Sequence, residues 1–314
     1  MTSRHMTAPG GATAQGIVVA NAPVSYGAFE VTVGIDPNAP TDIHVLDEVA
    51  AAGYAGIDLG PVGYLGRGPE LRDRLASRGL GLAGAYIELP YADAEALRAA
   101  MPVLDEVLDA LDEAGRIDGA PPARPTIADA GSEARRARPG GDNGMDAAAW
   151  RRFGAGLDEV VRRCRDRGHE PTFHFETGTH VAMPAEIERV LEVSDVGLCM
   201  DTGHFLLAGG DPVAAIRAWA TRINHVHLKD ATRSVMAAII ADDAPASAIW
   251  DRDAFPALGG GDLDADGVIA ELRRIGYAGW LVVEQDTLPR TRAEFDRAAA
   301  DQRANREFLE RRGL

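Results

Sequence analysis

INHVHLKD, residues 223–230, sets apolar side chains against two histidines and then breaks into a lysine and an aspartate. Ile223–Leu228 reads as a strand, and period-two alternation puts His225, His227 and the following Lys229 on one side. Working outward, three neighbouring apolar runs end the same way. Thr172–Glu176 closes on His174-Phe175-Glu176, Val196–Asp201 on Asp201, and Trp280–Glu284 on Glu284. Four further runs, Ile17–Asn21, Gly56–Leu59, Leu82–Ile87 and Pro125–Asp129, complete a set of eight. Helical patterns separate them near 41–52, 69–78, 92–115, 146–168, 184–194, 211–222 and 264–276, and a closing helix is predicted at about 291–311. Thr41-Asp42, Pro184 with Glu186, and Asp211-Pro212 supply helix-start signals. Strict alternation of strand and helix predicts an α/β fold, a single-domain (β/α)8 TIM barrel over 16–314.

Composition agrees. The chain has 314 residues, 46% of them hydrophobic, enough for one large core. Its 32 basic and 48 acidic residues give a formal charge of −16, which opposes binding to nucleic acid or to an anionic membrane. Arg135, Arg136 and Arg138 are the nearest approach to a basic patch and read as a solvated loop. Cys164 and Cys199 lack CxxC spacing and read as small buried residues. No apolar run reaches the length of a membrane span. Residues 1–15 lack the apolar centre of a signal peptide and read as a disordered lead-in, so a cytoplasmic location is expected. The first strand carries no GxGxxG turn, which argues against a dinucleotide site. Gly259-Gly260-Gly261 reads as a flexible loop. The long connections 130–145 and 230–263 leave strand C-terminal ends, where barrel enzymes place active sites, and are expected to act as lids.

A barrel brings its strand ends around one rim, so Glu176, Asp201, His227 and Glu284 are expected to converge. Three carboxylates and one imidazole suit a single divalent cation, Mn²⁺ first, with Co²⁺ or Mg²⁺ as alternatives, and with open coordination positions. Without a cation the clustered carboxylates would raise one another's pKa values. His174, His225 and Lys229 share the inward side, and His204 lies one short turn beyond Asp201. Lys229 is the only lysine in the chain, a point charge able to lose its proton when desolvated.

At these residues the sequence resembles the xylose isomerase-like barrel superfamily of sugar isomerases and epimerases, and within it the inosose dehydratase-like branch. The resemblance runs from Ile17 onward. It rests on NAPVSYG at 21–27, DTGH at 201–204, INHVHLKD at 223–230, LGGGDLD at 258–264 and GWLVVEQD at 279–286. It implies that Glu176, Asp201, His227 and Glu284 are metal ligands, that His204 and Arg233 hold substrate oxygens, and that Lys229 belongs to the dehydratase-like HLKD pattern. Dehydratase members place a histidine where Glu176 stands. Glu176 instead resembles the isomerases and 3-epimerases, in which two metal-bound glutamates face each other across the substrate. The epimerase pattern has a further glutamate six residues on, where this chain has Ala182.

The activity so implied is metal-assisted enediolate chemistry on a polyhydroxylated keto-sugar or keto-cyclitol. Glu176 or Glu284 would take the α-proton, with His204, Lys229 and Arg233 offsetting developing charge and His174 and His225 reaching the substrate. Dehydration of 2-keto-myo-inositol is the favoured outcome; 3-epimerisation and aldose–ketose isomerisation are the alternatives. An apurinic-site endonuclease on a related barrel is opposed by the charge. A non-catalytic barrel, or a subunit that needs a partner protein, predicts lost ligands or an inactive pure chain. A homo-oligomer is compatible, although no stretch identifies an interface.

Overall fold

The computed structural model describes residues 16–314; the lead-in expected at 1–15 lies outside the described residues. Nine parallel strand segments form one sheet. They are β1 Ile17–Asn21, β2 Gly56–Ile57, β3 Gly81–Leu82, β4 Gly84–Leu89, β5 Arg124–Asp129, β6 Thr172–His174, β7 Gly197–Asp201, β8 Ile223–Leu228 and β9 Gly279–Val283. Their spatial order is β3-β2-β1-β9-β8-β7-β6-β5-β4. β3 and β4 are one strand interrupted at Ala83. The Ala83 N–H donates to the Ile57 carbonyl at 2.9 Å, while its own carbonyl accepts from Arg124 at 3.1 Å. The ladder therefore continues from β2 to β5 across Ala83, and eight strand positions close a single-domain TIM barrel as expected.

Small residues and one large one fill the lower barrel. Ala20, Ala83 and Val282 pack with Trp280, whose indole donates to the Pro121 carbonyl at 3.0 Å. Gly56 and Gly81 make room for that ring, since a Cβ would come within 2.7 and 2.9 Å of it respectively. The main core lies between sheet and helices. The helix Ala147–Asp166 shows why: Trp150, Phe153, Leu157, Val160, Val161 and Cys164 recur at helical spacing and are all buried. Each such large side chain contributes about 1.5–3 kcal/mol. Asp146 caps this helix, its carboxylate accepting from the Ala149 N–H at 2.7 Å. Cys199 is likewise buried, as read from the sequence.

β8 contains an irregularity. Leu198 pairs with Ile223 but Cys199 pairs with His225, so Asn224 is an extra residue with no ladder partner. Ile223 thereby joins Leu198 in the outer core.

Two expectations need correction. The glycine-rich loop is pinned rather than flexible. The buried Asp230 carboxylate accepts from the N–H groups of Ala231, Gly259, Gly261 and Leu263 at 2.8–3.0 Å, and Asn305 accepts from Leu258 at 2.8 Å. Arg135 is not on a solvated loop. It lies on a short helix, Glu133–Ala137, and is buried, forking onto both oxygens of Glu186 at 3.1 Å. The connection 230–263 also contains structure, the helices Arg233–Ala241 and Ala248–Asp251. Among the described residues no helix is long and apolar enough to cross a membrane.

Candidate metal centre

β6 carries His174, β7 ends on Asp201, β8 carries His225 and His227, and Glu284 follows β9 by one residue. One donor atom each from His174, Asp201, His227 and Glu284 lies within 4.8 Å of the others, and all four residues are buried. Asp201, His227 and Glu284 are thus brought together as the sequence implies, while the fourth member of the group is His174 rather than Glu176. The reason is local. β6 stops at His174, and the chain then turns, with Glu176 N–H donating to the Val181 carbonyl at 3.1 Å and the Thr179 hydroxyl to the Glu176 carbonyl at 2.9 Å. Glu176 therefore stands on the turn, and its Oε2 accepts from the Tyr86 hydroxyl at 2.5 Å.

Asp201 does two jobs. Oδ1 caps the helix Thr202–Leu207 by accepting from the His204 N–H at 2.8 Å. Oδ2 faces the centre, 3.4 Å from His174 Nε2 and 3.8 Å from His227 Nδ1. Burial pushes this carboxyl up, but the Lys229 ammonium and the His204 ring outweigh it and hold it well below the usual range. Glu284 behaves alike. Burial opposes its ionisation, and His227 and Lys229 hold it low.

Lys229 is buried with its Nζ 2.9 Å from Asp286 Oδ2, 3.0 Å from Glu284 Oε2 and 3.2 Å from Asp201 Oδ2. Burial favours loss of its proton, but these three carboxylates override burial and keep it charged. The ordering expected from desolvation alone is thus reversed. Its ammonium also lies 5.1 Å from the centre of the Phe255 ring.

His204 is buried between Thr177 Oγ1 at 3.3 Å and Asp286 Oδ2 at 3.4 Å. Burial and Lys229 lower its pKa, Asp201 and Asp286 raise it, and the net direction is up. His225 sits one layer lower, fully buried, with its ring centre 5.2 Å from that of His227. Arg233 is exposed, and its guanidinium donates to the Gly210 carbonyl at 2.6 Å, outside the group.

Three residues absent from the sequence reading enter here. Asp286 closes the VVEQD segment, Asp58 follows β2, and Tyr86 lies on β4. Burial pushes the Asp58 carboxyl up to about 7 against the opposing pull of His227. Asp286, just past the end of the eighth run, carries the signal that marks Glu284, whereas Asp58 falls inside the expected run Gly56–Leu59 and only the structure ends that strand at Ile57. Tyr86 had no such signal.

The donor set fits a divalent cation. Two imidazoles and two carboxylates converge, and among the described residues His174 Nδ1 and both His227 ring nitrogens have no hydrogen-bond partner. Lys229 is the rival positive charge for the same oxygens. A groove of about 960 Å³ lies elsewhere, at the N-terminal ends of β7 and β8. Its Arg165 and Asp195 pair with each other at 2.9 Å, so it offers no comparable unpaired set.

The chain is 28% identical over 259 residues to an inosose dehydratase of Geobacillus kaustophilus, covering 79% of this chain and 81% of that one. It is 32% identical over 257 residues to the rhizopine catabolism protein MocC of Rhizobium meliloti, covering 78% and 74%. Among solved structures it resembles a D-allulose 3-epimerase from Methylomonas sp., with a TM-score of 0.67, 14% identity and 95% and 98% coverage. An L-ribulose 3-epimerase gives a TM-score of 0.64 at 18% identity, covering 93% of each chain. The likeness to these structures is one of fold. Residues 46–311 match the family described as xylose isomerase-like TIM barrel, and the chain belongs to that family.

Proposed function

We propose that the chain is a divalent-metal-dependent dehydratase acting on a polyhydroxylated keto-cyclitol or keto-sugar, with 2-keto-myo-inositol the first substrate to try. One observation carries the choice among reactions: a single glutamate, Glu284, belongs to the converging group, and His174 takes the place of a second. A two-glutamate epimerase needs a metal-bound carboxylate on each face of the substrate. Here Glu176 is held by Tyr86 instead, and Ala182 stands where the epimerase pattern has its further glutamate. The identity to inosose dehydratase over most of the chain supports the same reading.

His174, Asp201, His227 and Glu284 would hold the cation, Mn²⁺ before Co²⁺ or Mg²⁺. When bound it supplies Lewis acidity to a substrate carbonyl oxygen. The protein's own groups do the rest. Glu176, at the rim and free of the ligand group, takes the hydrogen on the carbon beside the ketone. That C–H electron pair becomes a carbon–carbon double bond as the β-hydroxyl departs, protonated by His204. One hydrogen and one hydroxyl thus leave as water, and the remaining α-hydroxy-enone tautomerises to a 1,2-dione. Lys229 stays charged and offsets negative charge as it develops.

The test is proton NMR of Mn²⁺-loaded protein with 2-keto-myo-inositol in deuterated water, the protein removed before each spectrum. Dione formation, abolished by Glu176→Gln, is the expected result. Deuterium uptake beside the ketone without loss of water would replace dehydration by epimerisation or isomerisation. A chain that binds no divalent cation would overturn the metal reading.

A further inference from the structure

The two nitrogens of the His227 ring open onto different carboxylates. Nδ1 faces the rim, 3.0 Å from Glu284 Oε2 and 3.8 Å from Asp201 Oδ2. Nε2 faces 3.7 Å from Asp58 Oδ2. Among the described residues neither ring nitrogen has a hydrogen-bond partner, nor does Asp58 Oδ1, and all are buried. A buried polar group left unpaired costs about 1–3 kcal/mol, so this arrangement is one that another atom completes.

An imidazole that binds a cation through one nitrogen carries its proton on the other, and the partner of that second nitrogen fixes the tautomer and the ring's aim. Asp58 is placed for that task. Its own N–H is anchored to the Asn21 carbonyl at 2.9 Å. Gly84 leaves space beside the carboxylate, since a Cβ there would lie 3.0 Å from Oδ1. His174, His225 and Cys199 also pack against His227, with the His174 ring centre 5.0 Å from its own. The His225 ring is edge-on to it, and Cys199 offers a sulfur within 4.8 Å of donor atoms on His174 and His227.

We propose that Asp58 is a positioning residue for His227: it accepts the Nε2 proton, leaving the Nδ1 lone pair to a divalent cation shared with His174, Asp201 and Glu284. The inference rests on the metal reading given above. Asp58 touches neither cation nor substrate. Shortening the Asp58–His227 separation to about 2.9 Å takes a shift of under ~1 Å by either side chain.

Zn²⁺ alone, being diamagnetic, is the probe. Long-range proton–nitrogen correlation spectra of the Zn²⁺-loaded full chain report which nitrogen of His227 carries the proton. Competition against a chromophoric chelator reports affinity for the parent, Asp58→Leu, Asp58→Asn and Cys199→Ala. The proposal expects a protonated Nε2 and a coordinated Nδ1 in the parent. Asp58→Leu should weaken Zn²⁺ binding about 10–100-fold, and Asp58→Asn, which keeps an acceptor oxygen, should weaken it less. Cys199→Ala leaves the Asp58 contact in place and should weaken binding less than Asp58→Asn does. Coordination through Nε2, unchanged affinity in both Asp58 variants, or a larger loss in Cys199→Ala than in Asp58→Asn would each overturn it. The spectrum needs no variant, so it decides even if Asp58→Leu fails to fold. A parent that binds no Zn²⁺ sinks the metal reading and this inference together. A parent that binds while both Asp58 variants bind equally well sinks only this one.

Discussion

The ammonium of Lys229 lies 3.0 Å from Glu284 Oε2, on a carboxylate that also belongs to the converging donor group. The same ammonium reaches Asp201 at 3.2 Å and Asp286 at 2.9 Å. One buried lysine therefore balances three acids where a divalent cation would balance two of them. Lys229→Met is expected to destabilise the metal-free protein by about 3–5 kcal/mol, the cost of stranding buried charges. Added Mn²⁺ should recover most of that loss, and the variant should bind Mn²⁺ more tightly than the parent. Thermal melts with and without Mn²⁺, and a chelator competition, check both; a variant as stable as the parent without metal would contradict the charge balance.

Glu176 and Asp201 should separate chemistry from metal retention. Glu176→Gln is expected to lose at least about 10²-fold in turnover while keeping its metal, because its carboxylate is bound to Tyr86 and not to the donor group. Asp201→Asn should release the metal while keeping the helix cap, since an amide oxygen can still accept from the His204 N–H. Metal content after dialysis, measured beside turnover, distinguishes the two. Loss of metal from Glu176→Gln would return Glu176 to the ligand set.

Asp230 holds four backbone donors of the chain that follows it. Asp230→Ala is expected to cost about 3 kcal/mol or more and to raise amide exchange at residues 258–263. Gly261→Ala should act on the same contact, since its Cβ would lie 2.4 Å from Asp230 Oδ1. Hydrogen exchange by mass spectrometry reads both; a loop that stays protected in Asp230→Ala would show that Asn305 suffices.

Glu271 gives a pH dependence away from the site. Arg274 and then Arg217 hold its carboxyl at about 2, below its ordinary 4.5. Because the folded pKa is depressed, the stabilisation is complete above pH 4.5 and disappears as pH falls toward 2. Glu271→Gln should therefore melt below the parent at pH 7, and the two melting curves should converge by about pH 2–3. A gap that persists at the acid end would mean that packing, not charge, sets the difference.

Most of the barrel was legible in the sequence because apolar period and punctuation coincide. Ile17–Asn21 and Ile223–Leu228 match β1 and β8 residue for residue. The expectation at the fifth run was less faithful, for a physical reason. His174-Phe175-Glu176 alternates like a strand, but Glu176 N–H pairs with Val181 across a turn, and a carboxylate two residues past the ladder need not share the strand's aim. Arg135 was misread because its partner, Glu186, is fifty-one residues away, a distance over which no local pattern carries information. Asp230 was invisible as an anchor for the same reason: its hydrogen bonds run to backbone N–H groups, which every sequence has.

Asn224 gives β8 its phase. Counting by twos from Ile223 would place that residue on the same side as His225 and His227, yet Ile223 packs outward with Leu198. The inserted position absorbs the mismatch, and Gly197 across from it has no side chain, since a Cβ there would fall 2.0 Å from the Asn224 amide. Pairing this residue regularly into the ladder, with no bulge, would leave composition, charge and every donor intact. It would force the strand either to turn Ile223 into the barrel or to turn His225, His227 and Lys229 out among the helices. The centre thus depends on a side chain that contributes nothing to it except parity, and a frame error of one residue there is equivalent to losing two histidines and a lysine at once.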